Sequence, residues 1–370
     1  MLQKALVLVL AVASITGFTS CGSTANHYIY ASLSAANQII VYREDPNSGV
    51  LTQIVGSPYT VGNGVISLAL HPSGKFLYAA NPGTGGNPES DISLFNIASN
   101  GALTEVFPRT SVAPAASQPQ LLRIDSAGAF LYVENAGSQN ISVFSIASST
   151  GALTPVAGSP FFLGGSPLNM QLTPSGNYLF VSIAGQNSGS ILTFSTNSGV
   201  LTPVSGINTD GPNPDGLAVN PAGTYLYASN YSSLGSISIF KIGTAASPGA
   251  LQEVPGSPLS TGYIAPLALT LDPKGQYLYV ANQGSNNVAA YSLSTTGLPN
   301  ILTTSTTTGA FATEGSPSFL VFDPSGKYLY VGNQGSSAGI QAFSVSAGNL
   351  TALSTYSVGN TPYSIVDLAK

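Results

Sequence analysis

The sequence predicts an all-β protein, a seven-bladed β-propeller with four antiparallel strands per blade and one blade shared by the N- and C-terminal segments. Three observations lead to this fold class. A phrase of turn and strand residues, clearest as DPSGKYLYVGN at 323–333, recurs along the chain with a period of roughly 50 residues. Each repeat divides at its turn signals into four short strands. The last residues match only the first strand of a repeat, whereas residues 28–54 supply the other three.

The repeated phrase predicts a tight turn followed by a strand. Asp, Pro, Ser and Gly suit the four positions of a type I turn, and Tyr-Leu-Tyr-Val supplies aromatic and β-branched strand formers. A further copy at 28–31 keeps the strand but lacks the turn. The other copies are HPSGKFLYAAN (71–81), DSAGAFLYVEN (125–135), TPSGNYLFVSI (173–183), NPAGTYLYASN (220–230) and DPKGQYLYVAN (272–282).

We name the predicted strands of each repeat A to D in chain order. Strand A leads into the turn and has an apolar residue three positions before it in every copy, which indicates a packed face. Strand B places two aromatic residues around an aliphatic one in all seven copies, so these fourteen rings are expected to fill the space between blades. Strand C pairs an aliphatic residue with Phe or Tyr three positions later. Strand D follows a Gly turn and is irregular in the sixth copy, which contains a Thr-rich run to Thr308.

The two ends of the chain are predicted to build one blade together. Residues 361–366 match strand A and no strand B follows them, whereas residues 28–54 contain strands B, C and D. Joining them closes the ring and hides two strand edges. A single propeller domain is therefore expected over 27–370.

The N-terminal segment predicts export. Lys4 precedes the apolar run 5–13, which matches a secretory signal over 1–20 and is short for a membrane span. The segment FTSCG at 18–22 resembles a bacterial lipobox, in which a Cys is acylated after cleavage. Cys21 is the only cysteine, so we interpret it as a lipid anchor followed by a short tether at 21–26. Gly22 favours the outer membrane of the cell envelope by the rule known for such lipoproteins, with a periplasmic or secreted protein as the alternative.

The composition excludes one class of partner. Charged residues make up 6% of the chain, the net charge is −5, and the nine Lys and Arg residues are scattered. Nucleic-acid binding requires a basic patch, so it is not expected. The low charge, together with abundant Gly, Ser, Thr and Asn, suits an extracytoplasmic β protein, which we expect to be a monomer.

Three carboxylates are predicted near the mouth of the central channel, where the D–A and B–C loops of a propeller meet. Asp210 and Asp215 belong to the D–A loop before the fifth blade's first strand, and Glu134 ends strand B of the third blade. A general base or a cation ligand could come from these three residues. Solvated loop charges are the alternative interpretation.

Arg123 and Glu134 each interrupt an otherwise uncharged column of the repeat alignment. If the turn 125–128 closes its hairpin directly, Arg123 lies opposite Phe130 and Glu134 opposite Pro119. That register separates the two charges by roughly 13 Å, and no direct ion pair is expected.

Amides at the ends of the B strands are candidate ligand contacts, together with Arg123. Asn and Gly are also ordinary turn residues, which is the alternative role. The candidate asparagines are Asn135, Asn230, Asn282 and Asn333.

The remaining ionisable residues argue against metal or triad chemistry. His27 and His71 are the two histidines, and both are predicted on the face opposite the mouth, which disfavours a Ser-His-Asp triad. The sequence contains no His-Glu-x-x-His motif and no group with zinc-ligand spacing, so neither a metal nor a cofactor is predicted.

The repeats resemble the lactonase family of seven-bladed propellers, the 6-phosphogluconolactonase-like group, over nearly the whole mature chain. The phrases that carry the resemblance are DPSGKYLYVGNQGS, NPAGTYLYASNYSS, and GALTPV followed by GSP within 151–160. Membership implies hydrolysis of a sugar lactone without a metal. Such enzymes tend to have Pro-Arg-His at the start of a strand A and Asn-Glu after a strand B. Here Pro119-Gln120-Leu121 and Asn135-Ala136 stand in those places.

Two functions are therefore carried forward. The first, which the unmatched Arg, His and Glu favour, is an envelope module that binds a polar small molecule or an envelope protein without catalysis. The second is a divergent lactone hydrolase that acts through Asp215, Asp210 or Glu134.

Overall fold

The computed structural model describes residues 27–83, 90–112, 116–243, 246–301, 309–335 and 337–369. The predicted signal, Cys21, the tether and most of the Thr-rich run of the sixth repeat lie outside these residues. Among the residues that the structure describes, no helix is long and apolar enough to cross a membrane.

The strands form seven antiparallel sheets, which confirms the seven-bladed propeller. In every sheet the spatial order is A-B-C-D, and in four sheets strand D is split into two pieces that both pair with strand C. We number the blades by their B strands in chain order. A short 3₁₀ helix, Ser34–Ala36, joins strands B and C of blade 1.

The strands of blades 1 to 4 have the following bounds. Blade 1 contains A Pro362–Ala369, B His27–Leu33, C Gln38–Glu44 and D Leu51–Gln53 with Tyr59–Thr60. Blade 2 contains A Ser67–Leu70, B Phe76–Asn81, C Asp91–Ile97 and D Leu103–Ser111. Blade 3 contains A Pro119–Ile124, B Phe130–Asn135, C Asn140–Ile146 and D Leu153–Pro155 with Phe161–Phe162. Blade 4 contains A Pro167–Leu172, B Tyr178–Ile183, C Ser190–Asn197 and D Val200–Asn208.

The remaining blades repeat this pattern. Blade 5 contains A Pro214–Val219, B Tyr225–Asn230, C Ser236–Ile242 and D Leu251–Glu253 with Leu259–Ser260. Blade 6 contains A Pro266–Leu271, B Tyr277–Asn282, C Asn287–Leu293 and D Pro299–Ile301 with Ala310–Ala312. Blade 7 contains A Pro317–Phe322, B Tyr328–Asn333, C Gly339–Ser346 and D Asn349–Ser357.

Blade 1 is built from both ends of the chain, as predicted. The C-terminal strand A pairs antiparallel with the N-terminal strand B, with Ala31 opposite Ile365 and Tyr28 opposite Leu368. Ile365 packs in the cluster between blades 1 and 7, and Leu368 packs in the cluster between blades 1 and 2. The last strand therefore contributes to the cores on both of its faces.

The first aromatic ring of strand B is buried in blades 1, 2 and 7 and half-buried in blades 3 to 6. The second ring is at most 1% exposed in every blade, which confirms that these seven rings fill the space between blades. Most of them are tyrosines whose hydroxyl group donates a hydrogen bond to the glycine carbonyl in the C–D turn of the next blade. For example, Tyr78 Oη lies 2.7 Å from the carbonyl oxygen of Gly151, and Tyr227 Oη lies 2.9 Å from that of Gly297. The repeated Tyr and the repeated Gly thus form one contact between neighbouring blades.

Substituting one of these turn glycines is expected to weaken the ring. Gly297 has a φ of 80°, and a Cβ added there would lie 2.6 Å from Cδ1 of Tyr225. Gly297→Ala should lower the free energy of unfolding by about 2–4 kcal/mol, from left-handed strain and overpacking together. Gly164→Ala is the matched control, because Gly164 has a φ of 76° and nothing within 4 Å of the added Cβ. Urea unfolding would contradict the packing argument if both variants lost the same amount.

Candidate functional site

A cavity of about 300 Å³ lies where strands A of all seven blades meet. In each repeat the side chain directly after the strand-entry position, which is Pro in six blades and Val65 in blade 2, lines this axial cavity. The walls are mostly apolar, with Leu121 and Phe319 among them. The seven residues that follow the entry position are Ile66, Gln120, Leu168, Asp215, Leu267, Ser318 and Tyr363.

Arg123 and Glu134 both line the axial cavity, and the predicted separation between them is wrong. Arg123 pairs with Tyr132 and Glu134 with Leu121, so the two residues are diagonal neighbours on one face of the sheet, a relation that typically separates residues by about 7–8 Å and their Cβ atoms by somewhat less. The hairpin differs because Asp125 N bonds the carbonyl of Phe130, which places four residues between the paired positions. The loop is thus two residues longer than assumed, and the register shifts by two.

Glu134 is a buried acid beside a buried base. It is 1% exposed, and its Oε2 atom has no hydrogen-bond partner in the described structure. Burial raises the pKa of Glu134 to about 8, although the Arg123 guanidinium opposes that shift. Burial also lowers the pKa of Arg123, but only to about 10, so Arg123 stays charged near neutral pH. Its Nη1 donates to the carbonyl of Leu122 at 3.0 Å, which helps to hold the guanidinium in place.

Asp215 brings a second carboxyl group to the same cavity, from blade 5. Partial burial raises the pKa of Asp215 to about 6, and its charge in turn contributes to the raised pKa of Glu134. The neighbouring Asn169 donates from Nδ2 to the Asp215 carbonyl at 2.8 Å, while Asn169 Oδ1 is buried without a partner. The cavity therefore contains two carboxyl groups with different pKa values, those of Glu134 and Asp215. It also contains the Arg123 guanidinium and the Asn169 side-chain oxygen, which has no hydrogen-bond donor.

Asp210 stands apart from this group. Asp210 is exposed to solvent and does not line the axial cavity. The structure thus brings together two of the three predicted carboxylates, Asp215 and Glu134, and joins them with Arg123.

The four candidate asparagines are fully buried within their blades and do not line the axial cavity. Asn135 Nδ2 donates to Asn140 Oδ1 and Ser142 Oγ, both at 2.9 Å, which links strands B and C. Asn230 and Asn282 make the same kind of link, whereas Asn333 shows no side-chain partner in the described residues. Ligand contact by Asn135, Asn230, Asn282 and Asn333 stays a prediction.

Sequence reasoning missed Gln120, Asn169 and Tyr363 as lining residues. A signal for most of the lining was present, because the residue after the strand-entry position occupies one column of the repeat alignment. Read around the ring, that column contains a single charged residue, Asp215.

Comparison with known families identifies the chain. The family model described as "Lactonase, 7-bladed beta-propeller" matches residues 57–167, 166–262, 226–309 and 252–367. The chain belongs to this family. A 6-phosphogluconolactonase of Xenorhabdus nematophila is 24% identical to this lactonase-family propeller over 343 residues, which is 92% of the chain and 98% of the relative. A 6-phosphogluconolactonase of Pectobacterium carotovorum is 26% identical over 135 residues, 35% of the chain and 38% of the relative.

Solved structures agree with the lactonase-family fold. The periplasmic gluconolactonase of Pseudomonas aeruginosa superposes with a TM-score of 0.73 at 18% identity, covering 93% of this chain and 99% of that one. A protein from Lactobacillus plantarum superposes with a TM-score of 0.76 at 20% identity, covering 93% and 99%. At these identities the similarity shows the fold alone.

Proposed function

We propose that the protein hydrolyses a sugar lactone bound in the axial cavity, which opens the lactone ring. The observation that carries this proposal is the convergence of Arg123, Glu134 and Asp215 in one largely apolar cavity, with the pKa values of the two acids on either side of neutrality. Two titratable groups whose environments separate their pKa values can serve as acid and base in one reaction. The names of the relatives point to the same class of substrate.

The two acids divide the proton transfers of the reaction. Near pH 7 Asp215 is mostly ionised, so it accepts a proton from a water molecule as that water attacks the lactone carbonyl carbon. The carbonyl oxygen gains negative charge, which the Arg123 guanidinium stabilises. Glu134 is mostly protonated, so it donates a proton to the ring oxygen as the carbon–oxygen ring bond breaks. The product is the open hydroxy acid, and exchange with solvent then removes the proton from Asp215 and returns one to Glu134, which restores both groups.

The cavity favours a lactone without a phosphate group. Arg123 is the one cationic side chain among its described lining residues, and Glu134 lies beside it. A phosphate dianion would bring two more negative charges to a site that already contains two acids, which disfavours it.

A binding module is the second candidate, and the apolar wall supports it. Ligand pockets are typically apolar with a few polar groups that orient the ligand, and Leu121, Leu168 and Phe319 supply such walls here. Glu134 Oε2 and Asn169 Oδ1 are buried without hydrogen-bond partners, so they could accept hydrogen bonds from the hydroxyl groups of a sugar-like ligand, whether the protein hydrolyses that ligand or only binds it.

Hydrolysis of glucono-δ-lactone by the purified protein tests the proposal. We expect the protein to open the lactone ring faster than buffer alone, with a rate that saturates as the substrate concentration rises. The rate is measured by titrating the acid that is released. Binding of the lactone by calorimetry without any turnover would overturn the enzyme and favour the binding module. If no neutral sugar lactone is turned over or bound, the hydrolase and a lactone-binding module are both excluded.

We also propose that the propeller is anchored in the cell envelope through Cys21. The signal and the Cys at 21 support this location, as does the periplasmic location given in the name of the Pseudomonas aeruginosa relative. Cys21→Ser should move the protein from the membrane pellet to the soluble fraction and remove an acyl-chain mass from the N-terminal peptide. An unchanged distribution, with no acyl mass on the wild-type peptide, would contradict the anchor.

A further inference from the structure

A second group of ionisable side chains lies where blade 1 packs on blade 7, at the face of the A–B turns. His27 begins strand B of blade 1 and pairs directly with Glu44 on strand C. Asp367, on the C-terminal strand, pairs with Ile29 two residues along from His27, so it shares their face of the sheet. Asp323 joins them from the A–B turn of blade 7. His27, Glu44 and Asp323 each place one possible metal-binding atom in this group, and these three atoms all lie within 4.8 Å of one another.

His27, Glu44 and Asp323 are buried, Asp367 is half-buried, and all but Asp323 have polar atoms without a hydrogen-bond partner. Glu44 is 1% exposed, and both of its carboxylate oxygens lack hydrogen-bond partners within the described chain. The same holds for His27 Nδ1 and for both carboxylate oxygens of Asp367. His27 Nδ1 lies 3.4 Å from Glu44 Oε2, which exceeds a normal hydrogen-bond length. Buried polar atoms normally have a hydrogen-bond partner or coordinate a metal, so the unpartnered atoms of this group leave room for a ligand.

Asp323 has a structural role and spare capacity. Its Oδ1 accepts from Tyr328 N at 2.7 Å and its Oδ2 from Ser325 N at 3.0 Å, which holds the A–B turn. A carboxylate offers about four lone-pair positions, and Oδ2 also accepts from the Ser325 hydroxyl group, so Oδ1 is the oxygen that can accept a further interaction. Asp125 and Asp272 hold the corresponding turns of blades 3 and 6, and neither belongs to such a group within the described residues.

We propose that His27, Glu44, Asp323 and Asp367 bind a divalent transition-metal ion of the zinc class, which joins both ends of the chain to blade 7. Imidazole nitrogen with carboxylate oxygens is a donor set suited to Zn²⁺, whereas Ca²⁺ and Mg²⁺ prefer oxygen donors alone. Ligand atoms about 2.0–2.2 Å from one ion lie at most about 4.4 Å apart, so the spacing of His27, Glu44 and Asp323 needs only small side-chain rotations. Asp367 faces this group from the last strand and would supply the fourth donor.

A metal ion bound at this site would stabilise the closed ring and would not take part in the chemistry of the axial cavity. Its ligands come from strand B and strand C near the N-terminus, from the last strand, and from the preceding blade. An ion bound by all three segments stabilises the folded ring alone, because the unfolded chain does not hold residues 27 and 367 together.

Metal content and thermal unfolding test the proposal in the full-length chain. Cys21→Ser is the background, because it removes the only thiol that could bind Zn²⁺. After removal of metal with a chelator, we expect one Zn²⁺ per chain by titration calorimetry. Zn²⁺ at about 100 times its Kd should raise the Tm by about 4 °C. Substitution with Co²⁺ should give a visible absorption spectrum.

Glu44→Gln and His27→Gln should each lose the Zn²⁺-dependent rise in Tm and the Co²⁺ spectrum. His71→Gln is the matched control, since both ring nitrogens of the other histidine already have partners, Ser73 Oγ at 2.8 Å and the Gly128 carbonyl at 2.9 Å. Circular dichroism of the metal-free variants checks that they fold. The proposal is overturned if wild-type protein takes up no Zn²⁺, if Ca²⁺ raises the Tm as much as Zn²⁺, or if His71→Gln loses the effect equally.

Discussion

Deleting residues 360–370 is expected to abolish cooperative folding of the ring. The last strand, Pro362–Ala369, supplies the fourth strand of blade 1 and pairs along the whole N-terminal strand B. Loss of buried Ile365 and Leu368 removes about 1.5–3 kcal/mol each, before the exposed edge and newly solvated rings are counted. Domains are stable by about 5–15 kcal/mol, so the deletion removes a large share of the total.

Size-exclusion chromatography and urea unfolding followed by tyrosine fluorescence measure this effect. Tyr363→Ala is the matched control on the same strand, because Tyr363 is 37% exposed and should change stability little. Ile365→Ala should fall between the two, with a loss of about 2–5 kcal/mol. A truncated chain with an unchanged unfolding midpoint would refute the shared blade as the closure of the ring.

Asp215→Asn is expected to lower kcat/KM for lactone opening by a factor of about 10²–10⁴, the usual contribution of a general base. The amide has the same shape as the carboxyl group but cannot accept the proton of the attacking water. Asp210→Asn should keep wild-type activity, because Asp210 is exposed and outside the axial cavity. Equal losses in both variants would show that charge near the mouth, and not a general base, supports turnover.

The pH profile of wild-type kcat/KM should be bell-shaped, with half-maximal points at about pH 6 and about pH 8. Below the lower value Asp215 is protonated and cannot accept a proton. Above the upper value Glu134 is ionised and cannot donate one. Glu134→Gln should lower the rate and remove the alkaline limb while the acid limb persists. Spontaneous hydrolysis must be subtracted at each pH, and a profile without an acid limb would exclude Asp215 as the base.

The fold could be predicted from the sequence because every blade repeats the same short-range pattern of turn and strand residues. The turn phrase sets a hairpin, and the paired rings of strand B mark the faces between blades. The column of residues directly after the strand-entry position marks the axis, although this is clear only once the structure shows that the A strands meet there.

The axial site could be predicted only in part, because register depends on loop geometry. Assigning a direct closure to the turn 125–128 placed Arg123 and Glu134 roughly 13 Å apart. The two further residues in the loop make them neighbours, and that proximity decides how their charges act on each other. Asp210 and Asp215 show the same limit, because the sequence pattern assigns both to one loop, whereas Asp215 is the second residue of strand A and lines the cavity and Asp210, five positions earlier, is exposed.

By itself the sequence determined the number of blades, the strands in each and the closure of the ring, because these follow from short-range patterns that recur. Only the tertiary structure decided which charges meet. Arg123, Glu134 and Asp215 come together from two blades at the axis, and His27, Glu44, Asp323 and Asp367 come together where the termini join. No spacing along the chain encodes such groups, because the closed ring sets the distances between residues of different blades.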